Sequence, residues 1–128
     1  MSHSKSWLCY HVVFATKYRH PFITESIERV VWGILWDICQ SNGMHPYAIG
    51  GVEDHIHILV GIPATMCVAD AVQRIKGVSS LEIKRRVPQL SSFGWQNGYT
   101  ALTFDYRSLD RLVQYVINQR KHHHREEG

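Results

Sequence analysis

Two histidines one residue apart, His55 and His57, stand in the run Gly50-Gly51-Val52-Glu53-Asp54-His55-Ile56-His57-Ile58-Leu59-Val60. The apolar and β-branched residues around them predict a strand, in which alternate side chains share a face. Both imidazoles then project from one side and Ile56 from the other, which is how a sheet offers two nitrogen ligands to one divalent ion. Glu53 and Asp54 lie beside them, and neighbouring carboxylates can orient a ligating imidazole. Two imidazoles plus one amide or carboxylate oxygen, with open positions, suit Mg²⁺ or Mn²⁺ acting as a Lewis acid on a phosphate oxygen; they would also suit zinc. Near the C-terminus, Tyr115 and Gln119 are four apart on a helix-like run and share a face. A tyrosine beside such an ion points to phosphoryl transfer with Tyr115 as nucleophile. A phenol's ordinary pKa of about 10 means that attack at neutral pH needs local help, and the sequence names no general base.

The elements that must position these groups can be read from periodicity and turn chemistry. Residues 7–15 are aromatic and β-branched, a strand by propensity, and 16–21 form a polar exit loop. Thr24 followed by Glu25 and Glu28 signals a helix start, and Ile27, Val30, Val31, Ile34, Leu35 and Ile38 recur at helical spacing until Asn42-Gly43 ends the helix. Residues 44–51 and 55–61 read as a hairpin. A second amphipathic helix covers 68–86, with Val72, Ile75, Val78 (or Ser79) and Ile83 inward. Residues 88–97 are loop, 99–104 a last strand, and 108–122 a third helix. That helix buries Leu109, Leu112, Val113 and Val116 and leaves Arg111, Tyr115, Asn118 and Gln119 on a polar side. The order matches a split βαβ, ferredoxin-like α+β fold: an antiparallel sheet with helices on one face, plus an added C-terminal helix that carries the tyrosine.

A chain of 128 residues with 45% hydrophobic and 20% charged residues fits one soluble domain, 1–128, with a real core. A formal charge of +3 is too small to argue for a polyanionic partner by itself, so the placement of cations matters more. Lys17 and Arg19 follow the first strand; Arg74, Lys76, Lys84, Arg85 and Arg86 lie on the second helix. A solvated helix face is the plain reading. The functional one is a phosphate-tracking surface on which Tyr18, Trp95 and Tyr99 stack unpaired bases. Cys9, Cys39 and Cys67 are odd in number and widely spaced, as buried thiols in a reducing cytoplasm would be. The polar start 1–6 has no apolar stretch behind it, so the protein is expected to be cytoplasmic. The end 121–128 reads as a frayed, native tail.

Taken together, these residues resemble the HUH single-tyrosine transposases of small insertion sequences, the TnpA type. The resemblance covers nearly the whole chain. It runs through His11-Val12-Val13-Phe14-Ala15-Thr16-Lys17-Tyr18-Arg19, His55-Ile56-His57, Trp95-Gln96-Asn97-Gly98-Tyr99 and Tyr115-Val116-Ile117-Asn118-Gln119 to a histidine-rich tail. Proteins of this kind act on single-stranded DNA at element ends folded as hairpins. The resemblance implies that Tyr115 attacks the scissile phosphate, forms a 5′-phosphotyrosine and leaves a 3′-OH that later reverses the reaction. It implies a metal on His55, His57 and Gln119, and a homodimer in which one subunit's tyrosine can serve the other's histidines. Three other functions compete. A non-enzymatic nucleic-acid-binding module on this fold would carry exposed aromatics on its central strands, where this chain has His55 and His57. A relative that nicks hairpin repeats without mobilising an element would share every catalytic residue. A zinc hydrolase using metal-bound water leaves Tyr115 without a role.

Overall fold

The computed structural model describes residues 7–121. Its elements are β1 (Trp7–Ala15), α1 (Glu28–Ser41), β2 (His45–Val52), β3 (His55–Pro63), α2 (Val68–Arg86), β4 (Thr100–Thr103) and α3 (Leu109–Ile117). Four strands form one sheet in the order β2-β3-β1-β4, each neighbouring pair antiparallel. That is the split βαβ arrangement, with α1 and α2 packed together and α3 added.

Strand alternation divides the molecule into two unequal cores. Val12 and Phe14 of β1 and Ile56, Ile58, Val60 and Ile62 of β3 point to one face, where they meet Ile34 and Leu35 of α1 and Val72, Ile75 and Ile83 of α2. Each such side chain contributes about 1.5–3 kcal/mol on burial, so this layer dominates stability. The opposite face holds a small cluster, Ala48, Leu59 and Val116, flanked by Leu109, Leu112 and Val113. Here α3 lies on the sheet, on the side to which His55 and His57 belong by alternation. Gly50 on β2 makes the close approach possible: a Cβ there would stand 2.9 Å from the Val116 carbonyl carbon and nearer still to its oxygen.

Several boundaries differ from the sequence expectation. Helix α1 begins at Glu28 rather than near Thr24, because the Thr24 hydroxyl bonds the Ser26 hydroxyl at 3.0 Å instead of capping backbone N–H groups. On α2 it is Ser79 that is buried, while Val78 remains 45% exposed. The Ser79 hydroxyl accepts the Trp95 indole N–H at 2.9 Å, so that inward position needs an oxygen. Helix α3 stops at Ile117, where the Asn118 side chain donates to the Gln114 carbonyl at 2.8 Å and closes the last turn. Of the three cysteines only Cys39 is buried; Cys9 is intermediate and Cys67 exposed. Among the described residues no helix is long and apolar enough to cross a membrane. The expectations for residues 1–6 and 122–128 fall outside the described residues.

Candidate active site

The register of β1 against β3 aligns Val13 with His57 and His11 with Leu59. His11 and His57 are therefore diagonal neighbours on one face, and His11 Nε2 lies 2.8 Å from His57 Nδ1. The ring centres of His55 and His57 are 5.3 Å apart. Helix α3 brings Tyr115 over this group, its ring 5.9 Å from that of His57 and 6.3 Å from that of His11, both edge-on. Of the residues picked from sequence, the fold thus brings His55, His57 and Tyr115 together. His57 is buried at 7% exposure, not half-exposed as an open sheet face would leave it, because α3 covers that face.

The donor chemistry of the pair fits a divalent ion. Two imidazoles that share an ion at bond lengths of about 2.1 Å and angles of about 90–110° place their ring centres about 4.6–5.3 Å apart. His55 Nδ1 lies 2.9 Å from Asp54 Oδ1, and His57 Nδ1 faces His11, so an ion shared by the pair would be met through Nε2 of each ring. Among the described residues no group of three His, Cys, Asp or Glu side chains could hold a metal. Gln119 is buried, at 2% exposure, rather than on the polar side of α3. Its Nε2 donates to the Tyr115 carbonyl at 3.0 Å, which makes the amide oxygen the end available as a ligand.

Two residues important to this geometry carry no role in the sequence reading. His11 stood in the first strand, and its signal was a lone imidazole alternating with apolar residues; burial holds its pKa below the ordinary histidine value. Arg120 follows Gln119 directly and is only 12% exposed at its side chain. It pairs with Glu28 and Glu53 and donates to the Ile23 carbonyl at 3.0 Å. It therefore fastens the segment beyond Tyr115 to the β2–β3 turn and to the start of α1.

A cleft of about 370 Å³ opens beside the histidines, lined among others by Arg19, His55, His57, Asn97 and Tyr99. Arg19 stands at its rim, 62% exposed, with one guanidinium nitrogen 3.9 Å from Asp54 Oδ2. Tyr18 and Arg19 both have left-handed backbones, φ 58° and 52°. The turn is held by buried Thr16, whose hydroxyl donates to the His20 and Asp54 carbonyls at 2.8 and 3.1 Å. Lys17 sits over the Tyr18 ring. Lys76 donates to the Gln96 and Gly98 carbonyls at 2.6 and 3.0 Å and so pins the cleft's loop wall, and burial lowers its pKa. Arg85 and Arg86 pair with Glu82 on α2, whereas Arg74 lines a separate shallow groove with Asp70 and Leu81. Lys84 lies half-buried on the same helix. Tyr18 and Tyr99 are exposed enough to stack on bases. Trp95 is not: its ring packs edge-on against Phe14 and Phe93.

Comparison with known proteins sets this geometry in a family. The chain is 34% identical over 125 residues to the transposase for insertion sequence element IS200 of Salmonella typhimurium, spanning 93% of this chain and 81% of that one. It is 27% identical over 115 residues to the ISDra2 transposase TnpA of Deinococcus radiodurans, across 86% and 82% of the two chains. A crystal structure of a candidate transposase from Deinococcus radiodurans R1 superposes with a TM-score of 0.75 at 28% identity, covering 93% of this chain and 98% of that one. A REP-associated tyrosine transposase solved with a REP hairpin shares the fold, with a TM-score of 0.60 at 11% identity over 91% and 70% of the chains. The family model described as transposase IS200-like matches residues 4–119, from before β1 to the buried glutamine after α3, and the chain belongs to that family of transposases.

Proposed function

We propose that this transposase cleaves and rejoins single-stranded DNA at hairpin element ends, with Tyr115 as the nucleophile and a divalent ion, Mg²⁺ or Mn²⁺, held by His55, His57 and the Gln119 amide oxygen. The observation that carries the reading is the 5.9 Å separation between the Tyr115 and His57 rings, on one face of the sheet beside an open cleft. The phenol oxygen attacks the scissile phosphorus and its proton is lost. The bond from phosphorus to the 3′ oxygen breaks, and that oxygen leaves as a 3′-OH after taking up a proton. The 5′ side stays on Tyr115 as a phosphotyrosine, and attack by a 3′-OH reverses the step. The bound ion supplies Lewis-acid stabilisation of the charge that develops on the phosphate. Arg19 at the cleft rim draws the DNA backbone in, and Tyr18 and Tyr99 offer faces to unpaired bases. That the related REP-associated enzyme was solved with a hairpin supports a hairpin substrate.

The working form is proposed to be a homodimer with a site in each subunit. The position of Tyr115 over the histidines of its own chain supports cleavage in cis. A mixed dimer of Tyr115→Phe and His57→Ala subunits should then stay inactive, whereas restored cleavage would place the tyrosine in the partner's site. The reaction itself is tested by incubating the protein with labelled single-stranded DNA from its own element ends. A covalent adduct that needs both Tyr115 and a divalent ion is expected. Cleavage of equal rate without the tyrosine would overturn the mechanism.

A further inference from the structure

We propose that His11 is a positioning residue for His57, an inference that rests on reading His55 and His57 as the metal pair. His11 Nε2 and His57 Nδ1, 2.8 Å apart, join β1 to β3 on the face that carries Tyr115. Two imidazole nitrogens at that separation share a single proton, so one ring donates and the other accepts. With Nδ1 turned to His11, His57 can ligate only through Nε2, which must then present its lone pair. The proton of His57 therefore sits on Nδ1 and is donated to His11 Nε2, and the proton of His11 sits on its own Nδ1. The reverse bond, from His11 to His57, would move the His57 proton to Nε2 and close the ligating position. His11 touches neither ion nor phosphate in this account. It selects the tautomer of His57 and fixes the rotation of its ring, as the Asp54 carboxylate does for His55 at 2.9 Å.

The test uses the whole chain and Co²⁺ as a spectroscopic probe. His11→Leu fills most of the space and removes the acceptor; His11→Gln places an amide oxygen near the former Nε2. Loss of an outer partner of this kind typically weakens metal affinity about 10–100-fold, and His11→Leu should show that loss in a titration of the visible Co²⁺ bands. His11→Gln should recover most of it, with circular dichroism confirming the fold of both variants. In the unsubstituted protein, ring ¹⁵N shifts should place the His57 proton on Nδ1, a readout that needs neither metal nor activity and survives if His11→Leu does not fold. A His57 ring protonated on Nε2 overturns the inference. So does a Co²⁺ affinity that falls in His57→Ala and stays unchanged in His11→Leu, which leaves the metal site standing. An affinity indifferent to His57→Ala removes the metal site and the role of His11 with it.

Discussion

The substitution Gly50→Ala tests whether α3 must touch the sheet for Tyr115 to act. The added Cβ would lie 2.9 Å from the Val116 carbonyl carbon and 3.4 Å from Ile117 Cα, both backbone atoms of α3. Carbon contacts settle at about 3.5–4.0 Å and the Val116 oxygen lies nearer still, so helix and strand must separate by more than about 1 Å. Strand β2 is hydrogen-bonded to β3 along its length, whereas α3 is held by the small Ala48, Leu59 and Val116 cluster, so the helix yields. Overpacking of this kind costs about 1–3 kcal/mol, a fall in Tm of several degrees for a domain of this size. A displacement of about 1 Å in a reacting group can lower its rate about 100-fold. Single-turnover cleavage of labelled DNA should therefore drop about 100-fold in Gly50→Ala, while Mn²⁺ affinity falls less, because two of its three proposed ligands, His55 and His57, stand on β3 and only Gln119 follows α3. Gly33 has nothing within 4 Å of its would-be Cβ and lies inside α1, so Gly33→Ala serves as the control. It should gain about 0.5–1 kcal/mol and keep full activity. Wild-type cleavage and Tm in Gly50→Ala would refute the docking argument. Lost Mn²⁺ affinity with a normal tyrosine adduct would show that the strand moved instead.

Tyr115→Phe should abolish the covalent adduct while DNA and metal binding persist, read by gel shift and by Mn²⁺ electron paramagnetic resonance. His55→Ala should abolish metal-dependent cleavage with little change in Tm, because that position is not fully buried; His57→Ala should lose activity and also stability, since His57 is buried under α3. Arg19→Ala should reduce the log–log salt dependence of single-strand binding by about 0.7, the share of one phosphate contact, and an unchanged slope would remove Arg19 from the DNA path. Arg120→Ala leaves Glu28, Glu53 and the Ile23 carbonyl without their shared donor and should cost about 2 kcal/mol in a denaturant titration, discounted for the exposure of Glu53.

What could be read in the sequence followed from local rules. Aromatic and β-branched propensity marks β1 at its observed bounds, alternation puts His55 and His57 on one face, and helical spacing marks α2 over Val68–Arg86. What could not be read depends on partners far along the chain. The bond between His11 and His57 spans 46 residues and needs the β1–β3 register, which no local pattern supplies. Arg120 meets Glu28 across 92 residues, a partner that no local pattern along the third helix indicates. Gln119 shares a helix face with Tyr115 by spacing, which predicts the polar side, but α3 ends at Ile117 and Gln119 lies buried beyond the turn at Asn118. The residue type of Trp95 predicts a stacking surface, yet the buried hydroxyl of Ser79 claims its N–H.

The left-handed turn at Tyr18 and Arg19 sets a ceiling on how far this protein can be made more robust without harm. A non-glycine residue in that conformation costs roughly 1–2 kcal/mol, and here two stand in succession, one of them aromatic. Selection for thermal tolerance alone would favour glycine or asparagine at both places. Glycine at Tyr18 would relax the turn but release the backbone that aims Arg19 at the cleft; glycine at Arg19 would delete the cation itself. With Arg19 in the proposed DNA path, the turn is a place where durability and grip on a strand pull in opposite directions, and a heat-hardened variant that gained its margin there is expected to bind DNA less well.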